Sequence, residues 1–398
     1  MNVWYMHPYA GSPNSGMSFR PYYISKELNK LGVTVVIISS LYHHLSQFLD
    51  AVSGFQKIEG VDYYLVKNNR YKGNGIGRVI NMLTYGIRLF GYTFRRFSSK
   101  IKPDIIIVST AHPFHIFAAK YYAKKYNAKI ILEVRDIWPL SLIELAGVSS
   151  NHPFSKLIEA TQNFAYRNCD FCVSLLSNAE PFFIKNGMPI NSFVYIPNGI
   201  VNDENSLRNK LYYKIKSDIS KFELSIGYTG AIGIPNNLMP LIKAAKKLEE
   251  YKVAIVLVGD GVSKNDIIDY IDKHDVRNVY LYDAVPKNSV SEIISLFSLM
   301  FLNAKSASIY QYGMSPNKIF DYMLKNKVVL NGVDSPNNPL QECGSEIFFE
   351  SENVEDLVSK ILYFKSNPYK VNTRDVTLEK YQYSTLAKKY YDLMKYII

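Results

Sequence analysis

The segment Gly313-Met314-Ser315-Pro316-Asn317-Lys318-Ile319-Phe320-Asp321-Tyr322-Met323 points most directly to chemistry. Ser315 reads as a helix N-cap and Pro316 as the first helical residue. Lys318 then falls in the first turn, where the helix dipole disfavours a cation, an arrangement that makes sense if the side chain faces a bound anion. Asp321 lies three residues further on and on the same face. The two side chains could therefore span a phosphate and a sugar hydroxyl. The alternative is an ordinary capped amphipathic helix with a local Lys–Asp pair. Ser315, Pro316, Asn317, Lys318 and Asp321 are all candidate binding residues.

Glycine turns stand at further strand ends. Tyr228-Thr229-Gly230-Ala231-Ile232-Gly233 closes an apolar strand and leads to a helix beginning near Asn236. Gly230 and Gly233 would let backbone N–H groups and the helix N-terminus approach a phosphate, although glycine also simply makes strand-to-helix turns. The Gly-x-Gly-x-x-Gly dinucleotide spacing is absent. Val258-Gly259-Asp260-Gly261 ends the next strand on the same face, with a plain tight turn as the alternative.

In the first half, Gly11-Ser12-Pro13-Asn14-Ser15-Gly16-Met17 follows a strand from Val3 to His7 and precedes a helix carrying Arg20 and Lys26. A glycine loop at a strand's C-terminal end is where α/β domains place ligands. Glu133-Val134-Arg135-Asp136-Ile137-Trp138-Pro139 also ends an apolar strand. Charges directly after a buried strand often sit in a cleft, which makes Arg135 and Asp136 candidates for catalysis, with a structural pairing to neighbours as the alternative. His112, in Thr110-Ala111-His112-Pro113, has a similar position; its alternative is packing or capping.

Residues 63–101 contain no Asp or Glu and eight basic residues, with Lys102 just beyond. Val79, Leu83, Ile87, Phe90, Phe94 and Phe97 recur there at three- and four-residue spacing, which predicts an amphipathic helical stripe with basic flanks. Such a stripe could lie on an anionic membrane surface, or it could be a core helix with a solvated outer face. Arg78, Arg88, Arg95 and Arg96, with Arg20, are the candidates for contact with an anionic acceptor or membrane.

The elements that must position these residues alternate regularly. Short β-branched runs at 33–40, 104–109, 129–134 and 171–175 are separated by helical patterns. Continuous apolar strands between helices predict a parallel sheet covered on both faces. Ile196-Pro197-Asn198-Gly199 is a turn signal and a domain boundary, with residues 1–200 before it. The alternation restarts with apolar runs at 224–229, 253–258, 279–282, 299–302 and 328–331, giving a second domain over 201–380. Two doubly wound α/β domains facing one another across a cleft are expected, and residues 381–398 read as a helix packing back on the first domain.

Composition sets outer limits. A chain of 398 residues with 47% hydrophobic and 20% charged residues can bury two cores, which excludes disorder and low-complexity architecture. Cys169, Cys172 and Cys343 are too few for a disulfide framework, and Cys169-x-x-Cys172 reads as buried core thiols rather than a metal site. The opening residues are too polar for a signal peptide, and no apolar run reaches the ~20 residues needed to cross a bilayer. A soluble or peripheral protein is expected. The net charge of +11 is uneven, with 21 Lys+Arg against 13 Asp+Glu in residues 1–205, a net of +8. Nucleic acid, phosphorylated substrates and phospholipid surfaces all match such a charge. Asp-x-Asp, Walker, His-x-x-x-His and Gly-x-Ser-x-Gly motifs are absent. A pyrophosphate would therefore be neutralised by Lys, Arg and helix dipoles, without a metal.

Taken in order, Gly11 to Arg20, Glu133 to Pro139, Ile196 to Gly199, Tyr228 to Gly233, Val258 to Gly261 and Ser315 to Met323 resemble the retaining glycosyltransferases of family four, which have the GT-B fold. The resemblance covers nearly the whole chain and is strongest to bacterial O-antigen and capsule N-acetyl-amino-sugar transferases. It implies a nucleotide sugar, usually a UDP-sugar, in the second domain and the acceptor in the first. By the resemblance, Gly16 and Gly230 to Gly233 would approach the diphosphate, Lys318 would neutralise it, and Asp321 would bind the ribose hydroxyls. The strand end at Tyr282-Asp283 would present backbone to the base. Retention without a metal cofactor is implied, with the leaving phosphate taking the acceptor proton. The implied acceptor is a saccharide on a polyprenyl diphosphate, the implied place the inner face of the cytoplasmic membrane, and no nucleic-acid partner is implied.

The chain departs from the family at three points. The Glu-x7-Glu motif would need carboxylates at 313 and 321, where Gly313 and Asp321 stand. Neutral Pro235-Asn236-Asn237 replaces the basic residue after the Gly230 turn, and Arg135 stands where many members carry His. A UDP-sugar epimerase or hydrolase of the same fold, and a non-enzymatic basic protein binding membrane or nucleic acid, are the alternative functions.

Overall fold

The apolar runs become parallel strands, because residues such as Ile105 to Val108 have no polar face to give to water and must be covered on both sides. The computed structural model describes residues 1–15, 18–45, 51–73, 75–202 and 207–398; Gly16 lies outside them. The chain divides into two compact units, Met1–Gly199 with Tyr383–Ile398, and Ile200–Gln382.

In the first unit the order is β1 (Asn2–Met6), α1 (Arg20–Lys30), β2 (Thr34–Ser40), β3 (Gly54–Ile58), β4 (Val61–Val66), α2 (Ile76–Arg88), α3 (Tyr92–Lys100), β5 (Ile105–Ser109), α4 (Ile116–Tyr126), β6 (Lys129–Val134), α5 (Leu140–Glu144), α6 (Pro153–Arg167), β7 (Phe171–Ser174), α7 (Glu180–Lys185) and β8 (Phe193–Tyr195). The eight strands form one sheet in the order β3-β4-β2-β1-β5-β6-β7-β8, parallel except for the β3–β4 hairpin. Tyr5 stands opposite Ile37 on one side and Ile107 on the other. The hairpin is not foreseen in the sequence. It turns through Glu59 and Gly60, both left-handed (φ 48° and 85°), as a two-residue hairpin loop requires.

The C-terminal helix Tyr383–Ile397 supplies Tyr383, Leu386, Ala387, Tyr390 and Met394 to the core of this unit, beside Tyr22, Ile24 and Leu28 of α1. A buried ion pair ties it down. Arg20, 2% exposed, donates from Nε to Glu133 at 2.9 Å and also bonds the carbonyls of Ile196 and Pro197. Glu133 accepts further hydrogen bonds from Tyr5, Ser109 and Tyr390. Burial alone would raise the Glu133 carboxyl, but Arg20, Arg135 and the hydroxyls hold it at about 2. Arg20 therefore corrects the expectation of an acceptor or membrane contact: its guanidinium is spent inside the unit.

The basic segment also folds differently from one stripe. Gly91 caps α3 in extended conformation and separates it from α2. Phe94 and Phe97 of α3 pack on Trp4 and Tyr64 in the core. The buried face of α2 is instead Asn81, Met82, Tyr85 and Gly86, so Val79 and Leu83 are only half-buried and Ile87 is exposed. Arg78 turns inward over the Tyr9 ring, and Arg88, Arg95 and Arg96 are exposed.

The second unit runs α8 (Lys210–Ile219), β9 (Leu224–Thr229), α9 (Met239–Leu248), β10 (Val253–Val258), α10 (Lys264–Lys273), β11 (Val279–Tyr282), α11 (Lys287–Ser295), β12 (Leu299–Leu302), α12 (Asn317–Leu324), β13 (Val328–Asn331), α13 (Pro339–Glu342), β14 (Glu346–Phe348), α14 (Val354–Ser366) and α15 (Arg374–Tyr381). Its sheet is parallel throughout, in the order β11-β10-β9-β12-β13-β14. Alternate residues of β10 serve opposite layers, Ile255 and Leu257 in one core and Val256 and Val258 in the other. Both units are thus Rossmann-like α/β domains. No helix of the described residues is long and apolar enough to cross a membrane.

Candidate functional site

In the second unit the site grows from the end of β9. Gly230 takes φ +137°, open to glycine and strained for other residues. The turn runs against the end of β10, with Gly230 N–H donating to Val258 at 3.0 Å and Ile232 N–H to Asp260 at 2.8 Å. A Cβ on Gly259 would lie 1.8 Å from the Gly230 oxygen, and one on Gly261 2.3 Å from the Ile232 oxygen. Gly259 and Gly261 are therefore demanded by the close passage of two backbones.

Beneath this turn lies Lys318. Its Nζ donates to the Tyr228 hydroxyl at 2.8 Å and to Asn236 Oδ1 at 2.9 Å, and it stands 4.3 Å from the Tyr228 ring centroid. A Cβ on Gly230 would lie 3.5 Å from it. Among the described residues no carboxylate pairs with it, and burial lowers its ammonium to about 7. Lys318 is the second residue of α12, whose first N–H groups have no intrahelical acceptor. A lysine without a carboxylate partner among the described residues, at the positive end of a helix and under a glycine turn, is an arrangement whose chemistry suits an anion.

The cap itself sits one residue later than the sequence suggests. Pro316 is the N-cap, in extended conformation, and Asn317 is the first helical residue, so Ser315 precedes the cap. The local Lys–Asp pair is not formed, because Asp321 pairs with Lys287 of α11. Asp283 is exposed and pairs with Lys264 at 2.6 Å. Gly233 is unremarkable in conformation, and an added Cβ would meet only Pro235, at 3.7 Å. Gly313 takes φ +117°, which disfavours a side chain where the resembled family carries its first carboxylate.

In the first unit, β6 delivers Arg135 half-exposed and Asp136 exposed. Arg135 Nη1 donates to Ser18 Oγ at 3.0 Å and approaches His7 Nε2 at 3.3 Å, while Ser18 and His7 are 3.1 Å apart. His7 is buried, and burial with the Arg135 charge keeps its ring neutral. His112 is not at a surface. It is fully buried among Tyr9, Tyr85, Phe114 and His115, and burial first, then His115, lowers its basicity. Packing describes it as it stands. The glycine loop after β1 is anchored by Glu59, which accepts from Ser12 Oγ at 2.5 Å and Asn14 N–H at 3.2 Å.

Sequence reasoning did not single out Tyr228, Asn236, His7 or Ser18. A tyrosine closing an apolar strand was the available signal for Tyr228. An acid inside the run Lys129 to Val134 was the signal that Glu133 has a buried partner.

No protein-family profile matches the chain. WcaI of Escherichia coli K12, which carries the name of a colanic acid biosynthesis glycosyl transferase, is 24% identical over 201 residues, 46% of this chain and 48% of WcaI. The matched region spans about half the length of that curated relative. Among solved structures, sucrose-phosphate synthase of Thermosynechococcus elongatus superposes with a TM-score of 0.76 over 100% of this chain and 98% of its own, at 11% identity. Anabaena Alr3699/HepE, solved in complex with UDP-glucose, superposes with a TM-score of 0.69 over the full length of both chains, at 11% identity. These likenesses show the GT-B fold.

Proposed function

We propose that the chain is a retaining glycosyltransferase that moves a sugar from a UDP-sugar to a lipid-linked saccharide in bacterial surface polysaccharide synthesis. The observation that carries this reading is Lys318, held by Tyr228 and Asn236 under the Gly230 turn with no carboxylate partner among the described residues. A diphosphate supplies the missing counter-charge, and the lysine with the α12 N-terminus stabilises the charge that builds on it as the sugar leaves. Because the protein provides that countercharge itself, the proposed transfer runs without a metal. Asp321 lies one helical turn beyond Lys318 and would exchange its bond from Lys287 for the ribose hydroxyls. Arg135 and Asp136 are the catalytic candidates of this reading, placed near the anomeric centre, and the acceptor proton would go to the departing phosphate.

The UDP donor is supported by the anion site and by the fold shared with the UDP-glucose-binding Alr3699/HepE. The polysaccharide context is supported by the local likeness to WcaI. The N-acetylated amino sugar follows the sequence resemblance, and the membrane-borne acceptor follows the basic, exposed α2–α3 surface of the first unit.

The test is calorimetric titration of UDP, with EDTA present, into wild type, Lys318→Ala and Lys318→Met. Micromolar binding to wild type, lost in both well-folded variants, is the expected result. Equal binding to all three would remove the assignment.

A further inference from the structure

Three residues from distant parts of the first unit meet around one guanidinium. Arg135 follows the end of β6, His7 follows the end of β1, and Ser18 lies just before α1. In the sheet β5 separates β1 from β6, so the contact is made across a strand. Arg135 Nη1 lies 3.0 Å from Ser18 Oγ and 3.3 Å from His7 Nε2, and those two atoms are 3.1 Å apart.

Donor counting orders this triangle. A guanidinium only donates, so Ser18 Oγ accepts from Arg135 and its own proton goes to His7 Nε2. His7 Nε2 accepts from both neighbours and carries no proton, which makes the ring the neutral Nδ1–H tautomer. Its surroundings favour the neutral form. His7 is 2% exposed, and burial first, then the Arg135 charge, holds its basicity well below the ordinary value. His115 and His43 act in the same direction, and Glu133 opposes them. Backbone bonds fix both acceptors in place: His7 N–H donates to Ile38 at 3.0 Å, and the Ser18 carbonyl accepts from Gly11 at 3.1 Å.

The triangle contains no carboxylate. Among the described residues Arg135 has no ion-pair partner, since Glu133 is taken up by Arg20, Tyr5, Ser109 and Tyr390, and the adjacent Asp136 is exposed. A carboxylate in this place would fix the guanidinium and cancel its charge. A serine and a neutral histidine fix it and leave the charge whole. Both side-chain bonds use Nη1, which leaves Nε and Nη2 of the half-exposed Arg135 for a further acceptor.

We infer that His7 and Ser18 are positioning residues that hold Arg135 as a preoriented cation, fixed by neutral hydrogen-bond acceptors instead of an ion pair. The inference rests on the proposed reading only in giving that cation a charge to stabilise during sugar transfer.

Nitrogen-15 spectra of the full chain test the triangle without substrate. His7 should show a protonated Nδ1 and a bare Nε2 from about pH 5 to 8, and the Arg135 side chain should show restricted guanidinium rotation. Ser18→Ala and His7→Leu should free that rotation. His7→Gln, whose amide oxygen can stand near the place of Nε2, should retain it. UDP release from UDP-N-acetylglucosamine supplies the kinetic readout, with water in place of the acceptor. There the bond from C1 to the phosphate oxygen breaks, the water oxygen bonds C1, and a water proton goes to UDP. Ser18→Ala and His7→Leu should lower kcat about tenfold or more with little change in KM, and His7→Gln should recover most of it. In an Arg135→Gln background neither substitution should lower kcat further. Ser18→Ala removes a single atom and keeps the test open if His7→Leu does not fold.

A protonated Nε2, free rotation of Arg135 in wild type, or equal loss in folded His7→Gln and His7→Leu would overturn the inference. So would an undiminished loss in the Arg135→Gln background. A wild type that releases no UDP removes this sugar as donor and leaves the spectra to decide. UDP titration reports on Lys318 in the other unit. Restricted Arg135 without UDP binding therefore sinks the proposed function alone, and UDP binding with a freely rotating Arg135 sinks this inference alone.

Discussion

Lys318 carries the functional argument at the scale of a single residue, and its protonation makes that argument testable. Burial lowers its ammonium to about 7, whereas a bound diphosphate would stabilise the ammonium and raise that value again. Above pH ~7 the free side chain is largely neutral, so binding must take up a proton. UDP affinity should therefore be greatest below about pH 7 and fall by up to about tenfold per unit as pH rises to about 9. Calorimetry in two buffers of different ionisation heat should show the proton uptake, and Lys318→Met should show neither effect. An affinity independent of pH in wild type would mean that the lysine does not face the anion.

At the scale of elements, the turns after β9 and β10 stand or fall together. Gly259→Ala places a methyl 1.8 Å from the Gly230 oxygen, so the two strand ends must separate. It should cost roughly 1–3 kcal/mol of stability and weaken UDP binding, because the Gly230 turn covers Lys318. Gly233→Ala meets only Pro235 at 3.7 Å and should change both by little. Denaturant unfolding and UDP titration of the two variants make the comparison, and similar behaviour would show that the turn is not what shapes the site. In the first unit, Arg20→Met strands a buried carboxylate and should cost about 3–5 kcal/mol, read from urea unfolding. The sign of the acid dependence follows from Glu133, whose folded value is depressed from 4.5 to about 2. Its contribution is complete above pH ~4.5 and disappears as pH falls towards about 2.

For the whole molecule, the two units differ in how the chain builds them. Ile200–Gln382 is one continuous stretch with two cores of its own, whereas Met1–Gly199 shares its core with Tyr383–Ile398. The fragment 200–382 should fold alone, melt cooperatively by circular dichroism and bind UDP. The fragment 1–199 should aggregate, because it lacks Tyr383, Leu386, Tyr390 and Met394 from its core and one hydrogen bond to Glu133. A monomeric, cooperatively melting 1–199 would show that the C-terminal helix is dispensable.

The apolar runs of β1, β5, β6, β9 and β10 were legible in the sequence, because a strand buried on both faces can hold little but aliphatic residues. The helix at Ser315 to Lys325 was legible from its proline and its periodicity, and with it the position of Lys318 in a first turn. The short hairpin β3–β4 was not, since its alternation is brief and half-exposed. Neither the break between α2 and α3 nor the buried face of α2 could be read from spacing, because several apolar stripes compete on such a helix. Only packing against Trp4, Tyr64 and α4 chose among them. Arg20 shows the same limit, since a basic residue reads alike whether it meets water, a ligand or a buried acid. Residue type and local period were determined by the sequence itself. Which charges are spent inside, which remain free, and which glycines are required by a second backbone were decided by contacts between distant segments, and those exist only in the folded chain.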